Sequence, residues 1–451
     1  MIDNAVMLAE RFKTAVETGR VDDLVGLYAP DAHLDARLAG REVTADGPDA
    51  IVAVLAAWWP VLGRLDQWDC AVSDGGVRVM LERAWDADGS TERIAQFHNV
   101  HVEQGRISRH DVFSSHARFG LPPTIRDPVP SFLRDARSRE PLPHAGDSGS
   151  YLERVVLADG NGSIVKHISP SFDWIMRATH DTGREAELWL GGYLRDLPSV
   201  EVPMMAVERE CDGWAIAQRD VSDALIADRA PLSREETRRL LEAADVLHRG
   251  FEGREVPGLC SLADRAFMFS PRLALAERDR SYLMPKIFGR GWELFPDLIG
   301  DDAIAAIVLR LVENPAPLID ELTRDGTTLL HGDFYDSNLG LDGDRVIAID
   351  WTMACQGPAE VDFAYYLHNF GFTPAQRRDE LIADWRSIRG DDFDERRLRL
   401  ALLFEVVIKG WCWAQSVWAT NPATRDRLLA DMAWWLDQAR AALELWSPSR
   451  G

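Results

Sequence analysis

Cysteine is scarce in this sequence. The five residues (Cys70, Cys211, Cys260, Cys355 and Cys412) are odd in number and include no C-x-x-C pair. That pattern disfavours a disulfide framework or a zinc site and leads us to expect a reducing compartment, the cytoplasm. Basic charge is also short. Lys and Arg total 50 against 73 Asp and Glu, a formal net charge of −23. Nucleic acid and anionic membranes both need a basic footprint, so neither is expected as the main partner, whereas a cationic ligand would be tolerated. No long hydrophobic run is present. The most apolar stretch, Ala50 to Gly63, contains Pro60 and is too short to span a bilayer. Met1-Ile2-Asp3-Asn4 shows no basic region leading into an apolar one, so no signal peptide is expected.

What is present suits a globular chain. Apolar residues make up 46 % and charged residues 27 % of 451 positions, enough for two or three folded units. Six prolines fall between Leu121 and Pro143, and such runs form stiff connectors. We therefore expect one domain over residues 1–118, a Pro-rich linker over 119–145 with a short helix around Ser131 to Ser138, and a second domain over 146–451. The second domain divides into a small lobe at about 146–220 and a large helical lobe at about 221–451.

In the first segment, helical spacing covers Ala5 to Glu17, Val21 to Tyr28 and Asp49 to Trp59. Strand patterns follow at Val77 to Trp85, Arg93 to Val102 and Arg106 to Phe113. Helices followed by a curved antiparallel sheet is an α+β order. Over about the first 116 residues it resembles the NTF2-like, or SnoaL-like, cone fold. That resemblance implies a pocket, for which Trp58, Trp59, Trp68, Trp85, His98 and Asp111 are candidates, or a module for a homodimer. A non-catalytic role is preferred over a His/Asp proton-transfer pair.

The sharpest motif is His331-Gly332-Asp333-Phe334-Tyr335-Asp336-Ser337-Asn338, which fits H-x-D-x-x-x-x-N. Twelve residues beyond Asn338, Asp350 ends the apolar strand Val346 to Ile349. Phosphoryl transfer needs one carboxylate near the attacking hydroxyl. It also needs oxygen ligands that hold Mg²⁺ against the triphosphate. Asp333, Asn338 and Asp350 have the right chemistry for those tasks.

Together with Ile349-Asp350-Trp351 and Gly357-Pro358-Ala359-Glu360-Val361-Asp362-Phe363-Ala364, this motif resembles the aminoglycoside phosphotransferase family of small-molecule kinases. The resemblance spans roughly Gly146 to Trp446 and implies a bilobal protein-kinase-like fold. It makes Asp333 the catalytic base, Asn338 and Asp350 the metal ligands, and His331 a brace for the loop. Asp336 and Ser337 depart from the family's frequent Pro-Gly; Asp336 is read as a turn residue or a contact to a cationic acceptor.

Lys166 lies in a small-lobe strand, where it would reach the nucleotide phosphates. Glu185, preferred over Glu187, would orient it. Gly149 and Ser150, in the segment Gly146 to Ser150, offer backbone amides for phosphate. Gln218, Asp220 and Val221 fall where an interlobe hinge would meet adenine. The expected cofactors are ATP and Mg²⁺.

Trp385, Trp411, Trp413, Trp418, Trp434, Trp435 and Trp446 enrich the last third in aromatics. Core packing is the favoured reading. The alternative is a cation held by Trp411, Trp418 and Glu405.

The expected function is phosphorylation of a hydroxyl on a small molecule: an aminoglycoside-like antibiotic, an amino sugar or a natural-product intermediate. The absence of an A-P-E segment after Asp350 favours a small molecule over a protein acceptor. The rivals are a nucleotide-binding regulatory pseudokinase and an enzyme whose chemistry lies in the first domain.

Overall fold

The computed structural model describes residues 2–38, 41–56, 64–72, 76–87, 90–119, 129–142, 148–226, 232–278, 282–300, 302–370, 377–417 and 422–446. The chain divides into two compact units. The first joins Met1–Pro122 with Phe269–Asp302 and Gly410–Ala433; the second holds Pro123–Met268, Ala303–Lys409 and Trp434–Gly451.

The first unit opens with α1 (Ile2–Thr18) and a 3-10 turn over Val21–Leu27, where a helix to Tyr28 was expected. Tyr28 instead starts β1 (Tyr28–Leu38), followed by β2 (Arg41–Asp46), α2 (Pro48–Ala56), β3 (Arg64–Val72), β4 (Gly76–Ala87), β5 (Ser90–Glu103) and β6 (Arg106–Phe119). These strands form a six-stranded sheet in the order β2-β1-β6-β5-β4-β3. All neighbours are antiparallel except β1 and β6, which run parallel. β1 escaped the pattern reading because its inward positions, Ala32, Leu34 and Ala36, are mostly small.

Register separates two residues that were grouped by sequence. His98 pairs with Val112 and Asn99 with Asp111 across β5 and β6, so His98 and Asp111 point to opposite faces. His98 faces Phe12 of α1, with ring centroids 5.2 Å apart. Its Nδ1 meets His110 Nε2 at 3.0 Å, and His110 Nδ1 lies 2.8 Å from the Tyr28 hydroxyl. Burial holds both imidazoles well below the ordinary histidine range, so this chain is neutral. Asp111 faces the other way, 3.1 Å from Arg109 Nε and 3.9 Å from Arg290. Arg290 belongs to the helix Leu283–Ile299, which packs on β6 within this unit. His98 and Asp111 therefore line no common pocket. Trp58, Trp59 and the Trp85 side chain lie outside the described residues.

The second unit begins with β7 (Ser138–Pro141), inside the Pro-rich stretch, after a 3-10 turn at Ser131–Leu133. Next come β8 (Tyr151–Val156), β9 (Gly162–Ile168), α3 (Trp174–Ala178), α4 (Arg184–Leu190), β10 (Val200–Glu201), β11 (Met204–Glu210) and β12 (Gly213–Arg219). An antiparallel sheet in the order β11-β12-β9-β8-β7 forms the small lobe. Its register places Lys166 between Leu152 and Ile216.

The chain continues as α5 (Arg234–Phe251), α6 (Leu262–Met268), α7 (Pro271–Ala276), α8 (Leu283–Ile299), α9 (Asp302–Glu313), α10 (Ala316–Thr323), β13 (Thr328–Leu330), β14 (Leu339–Asp342), β15 (Arg345–Ala348), β16 (Cys355–Gly357), α11 (Ala359–Phe370), α12 (Arg378–Arg389), α13 (Glu395–Val417) and α14 (Pro422–Leu445), of which α7, α8, the end of α13 and the start of α14 belong to the first unit. A capping box starts α5: the Ser233 side chain accepts from the Glu236 amide, and Glu236 reaches back to the Ser233 amide.

Trp385, Trp411 and Trp435 serve packing. Trp385 is fully buried and stacks on Phe363, with centroids 4.8 Å apart. Trp411 lies 4.5 Å from Phe288, and Trp435 is also fully buried. Trp418 lies outside the described residues.

Candidate active site

The H-x-D-x-x-x-x-N motif sits between β13 and β14 and is held from behind by α11. Asp362 Oδ2 accepts from the His331 amide at 2.8 Å, and its Oδ1 accepts from the Gly332 amide at 2.9 Å. Burial would raise this carboxyl, but the His248 hydrogen bond at 3.1 Å and nearby cationic charge hold it low. Gly332 has φ +80°, and a Cβ there would come within 1.9 Å of the Met353 carbonyl oxygen. Only glycine fits such a turn. His331 Nε2 reaches the Ile349 carbonyl at 3.0 Å, tying the loop to the strand that ends at Asp350.

Asp333 is half-buried and both its carboxylate oxygens are held. Asn338 Nδ2 donates to Oδ2 at 2.8 Å, and the Tyr365 hydroxyl donates to Oδ1 at 2.6 Å. A 3-10 turn over Asp336–Asn338 curls the chain so that Asn338 faces back onto Asp333. The Asn338 carbonyl accepts from the Ile349 amide at 2.9 Å, which sets Asn338 beside the segment carrying Asp350. Asp336 belongs to this turn, and burial raises its carboxyl.

Lys166 closes the other half of the site. Its Nζ lies 2.9 Å from Glu185 Oε2, 2.7 Å from Asp350 Oδ1 and 2.8 Å from Thr352 Oγ1. Burial alone would strip the lysine of its proton, but the two carboxylates outweigh it and keep the ammonium charged. Its partly desolvated setting would likewise raise Asp350; the ammonium beside it wins and holds that carboxyl at about 2. Asp350 adopts φ 62°, a left-handed conformation that turns its side chain toward Thr352 and Lys166.

Glu185 is positioned by the start of α4, where Asp181 Oδ1 accepts from the Gly183 and Arg184 amides. Gly183 must be glycine there, because a Cβ would meet Trp214 Nε1 at 1.8 Å. Glu187 points away and pairs at 3.6 Å with Arg209 on the exposed side.

The remaining predicted residues are less directly placed. Gly146 and Asp147 lie outside the described residues. Gly149 is exposed with φ 101°, and the Ser150 hydroxyl donates to Asp173 Oδ2 at 2.7 Å. Asp173 caps α3, and burial pushes its carboxyl up to about 6. The Gln218 carbonyl accepts from Ser163 Oγ at 2.9 Å, the Asp220 side chain accepts from Ser222, and Val221 starts a 3-10 turn. Glu405 is buried, and burial pushes its carboxyl up to about 7 despite Lys409 and Arg265 nearby. The Lys166–Glu185–Asp350 cluster is brought together from separate parts of the chain, whereas Asp333 and Asn338 meet across a single loop.

Comparison with known proteins agrees with this architecture. Residues 224–401 match the phosphotransferase enzyme family (APH), and residues 9–110 match the SnoaL-like domain. The chain resembles the aminoglycoside phosphotransferase-like small-molecule kinases, preceded by a SnoaL-like domain. Enzymes of that family transfer a phosphoryl group to hydroxyls of small molecules.

Similar solved structures include the aminoglycoside phosphotransferase APH(3'')-Id of Streptomyces rimosus with ADP and streptomycin. It is 18 % identical, with 58 % of this chain and 94 % of that one covered at a TM-score of 0.39. The choline kinase LicA of Streptococcus pneumoniae is 13 % identical, covering 70 % and 94 % at a TM-score of 0.38. The spectinomycin phosphotransferase APH(9)-Ia, with ADP and spectinomycin, is 13 % identical, covering 70 % and 91 % at 0.37. No curated protein matches the sequence. Among the described residues no helix is long and apolar enough to cross a membrane.

Three residues of the site were not singled out from sequence: Thr352, Tyr365 and Lys409. The signal for Thr352 is its place directly after Ile349-Asp350-Trp351. Tyr365 stands three residues after Asp362, hence on the same face of α11.

Proposed function

We propose that this protein is an ATP- and Mg²⁺-dependent kinase that phosphorylates a hydroxyl group of a small molecule. The observation that carries the reading is the meeting of Lys166, Glu185 and Asp350 within 2.9 Å, in a chain whose phosphotransferase-family segment also carries Asp333 and Asn338. A buried lysine kept charged by two carboxylates is a ready donor to nucleotide phosphate. Gly149 and Ser150 would add backbone amides, and the segment Gln218 to Val221 would meet the adenine.

The metal fits the donor set. Asp350 is 44 % exposed at its side chain, and its Oδ2 accepts no hydrogen bond among the described residues. The Asn338 amide donates through Nδ2, and its Oδ1 accepts no hydrogen bond among the described residues. A carboxylate and an amide oxygen are the hard ligands Mg²⁺ takes, and the ion would supply charge neutralisation on the triphosphate.

In the transfer itself, the acceptor O–H bond breaks as its oxygen bonds the γ-phosphorus. Asp333 takes the proton, and ADP leaves with the electron pair of the broken P–O bond. The acceptor class includes aminoglycoside-like antibiotics, amino sugars and natural-product intermediates, and the acidic chain suits a cationic one.

The test is Mg·ATP with full-length protein and a panel containing streptomycin, spectinomycin and choline, read by mass spectrometry for a phosphorylated product. Asp333→Asn should keep nucleotide binding while kcat falls ~10²–10⁴-fold. Tight Mg·ATP binding with no transfer to any hydroxyl would favour the regulatory pseudokinase instead.

A further inference from the structure

Lysine is rare here. It occurs at four positions, Lys13, Lys166, Lys286 and Lys409, among 50 basic residues. Lys166 belongs to the nucleotide side of the site. Lys409, on α13, is buried at 9 % exposure, and its Nζ donates to the Tyr365 hydroxyl oxygen at 3.1 Å. That phenol in turn donates to Asp333 Oδ1 at 2.6 Å.

The direction of these bonds is forced. An ammonium can only donate, so the Tyr365 oxygen accepts from Lys409 and its single proton goes to Asp333. A cation on the phenol oxygen also polarises the O–H and strengthens the bond it makes to a carboxylate. Burial and the neighbouring Asp333 charge both raise the Tyr365 pKa well above its ordinary value, so the phenol keeps its proton. The ring is held as well: the Arg265 guanidinium lies 4.6 Å from its centroid and Lys409 Nζ 4.5 Å.

α11 thus grips the catalytic loop twice within one turn. Asp362 takes the amides of His331 and Gly332, and Tyr365 takes the carboxylate of Asp333. With Asn338 on Oδ2, both carboxylate oxygens are held, which restrains rotation of the carboxylate plane. We propose that Tyr365, its phenol oxygen held by Lys409, is a positioning residue that aims the Asp333 carboxylate at the acceptor proton. This inference rests on Asp333 being the base of the kinase reaction.

The experiment uses full-length protein and Mg·ATP with water as acceptor, following ADP release. Tyr365→Phe keeps the ring and removes only the hydroxyl. It should lower kcat roughly 10- to 100-fold, the usual effect of a misaimed catalytic group, with KM for Mg·ATP within about twofold. Lys409→Met should shift kcat the same way by a smaller factor. The double variant should match Tyr365→Phe alone, because both changes act through one hydroxyl.

A purely structural role would instead give additive losses of thermal stability with kcat unchanged in the folded fraction. Wild-type kcat in folded Tyr365→Phe, beside an inactive Asp333→Asn, would overturn the positioning role and leave the kinase reading standing. A wild-type chain that neither binds nor turns over Mg·ATP would overturn both.

Discussion

Lys166 and Asp350 stand 184 residues apart in the chain, and their charged atoms meet at 2.7 Å. The first comes from a small-lobe strand and the second from the end of β15. Each sets the charge state of the other, since the lysine stays protonated because of the carboxylate and the carboxylate ionised because of the lysine.

One consequence is a pH signature. The folded-state pKa of Asp350 is depressed to about 2, below the ordinary ~3.9 of an unfolded aspartate. Its stabilising contribution is therefore complete above about pH 4 and is lost as pH falls through about 2. The stability gap between wild type and Asp350→Asn, measured by urea unfolding, should hold from pH 7 to 5 and close toward pH 2. A gap that widens on acidification would contradict the pairing.

The two metal-ligand candidates should also rank. Asp350→Ala should weaken Mg·ATP binding more than Asn338→Ala, because a carboxylate brings a full charge and an amide only a dipole. Calorimetry on both variants checks the order. Undiminished affinity in both would place the nucleotide site elsewhere.

Glu185 and Glu187 lie two residues apart on α4 and should behave differently. Glu185→Ala leaves the buried Lys166 one carboxylate short and should cost up to ~3 kcal/mol of stability. Glu187→Ala removes only an exposed pair with Arg209 and should cost less than ~0.5 kcal/mol. Equal losses would remove the distinction between them.

Gly332→Ala should be among the most damaging single-atom additions in the loop. The positive φ alone costs ~1–3 kcal/mol, and the new Cβ cannot coexist with the Met353 carbonyl at 1.9 Å. We expect a lower melting temperature together with loss of turnover, whereas Gly343→Ala, also at positive φ but with open space around it, should change stability only. Full activity in Gly332→Ala would mean that the turn can open to admit a Cβ.

Removal of residues 1–122 offers a further check. Helix α8 packs on β6, with Arg290 3.9 Å from Asp111, so the truncation strips that helix of its sheet. The shortened protein should melt at least ~5 °C lower and expose apolar surface. An unchanged melting temperature would show that α8 does not depend on the sheet.

Much of the site was legible because its chemistry is local. His331, Asp333 and Asn338 lie on one loop at a fixed spacing, and Asp350 follows an apolar strand that any pattern reading finds. Lys166 and Glu185 were recognisable through the family resemblance, though neither stands out by composition. Tyr365 and Lys409 were invisible for a physical reason. Each is an ordinary residue on a helix, and a hydrogen bond across 44 residues leaves no local trace.

The first unit divides in the same way. Alternation in β4, β5 and β6 was readable, because each strand carries its own period of two. The pairing of His98 with His110 and not Asp111 was not, since it depends on which residue of β6 stands opposite which residue of β5. The sequence by itself determined the strands β4, β5 and β6, the spacing of the H-x-D-x-x-x-x-N loop and the charges available to it. Only tertiary structure decided which face each strand presents, that helix α8 packs on β6, and that a tyrosine and a lysine stand behind Asp333. Local order follows from periodicity and turn chemistry within a few residues, whereas these contacts exist only once distant backbone segments have been brought into register.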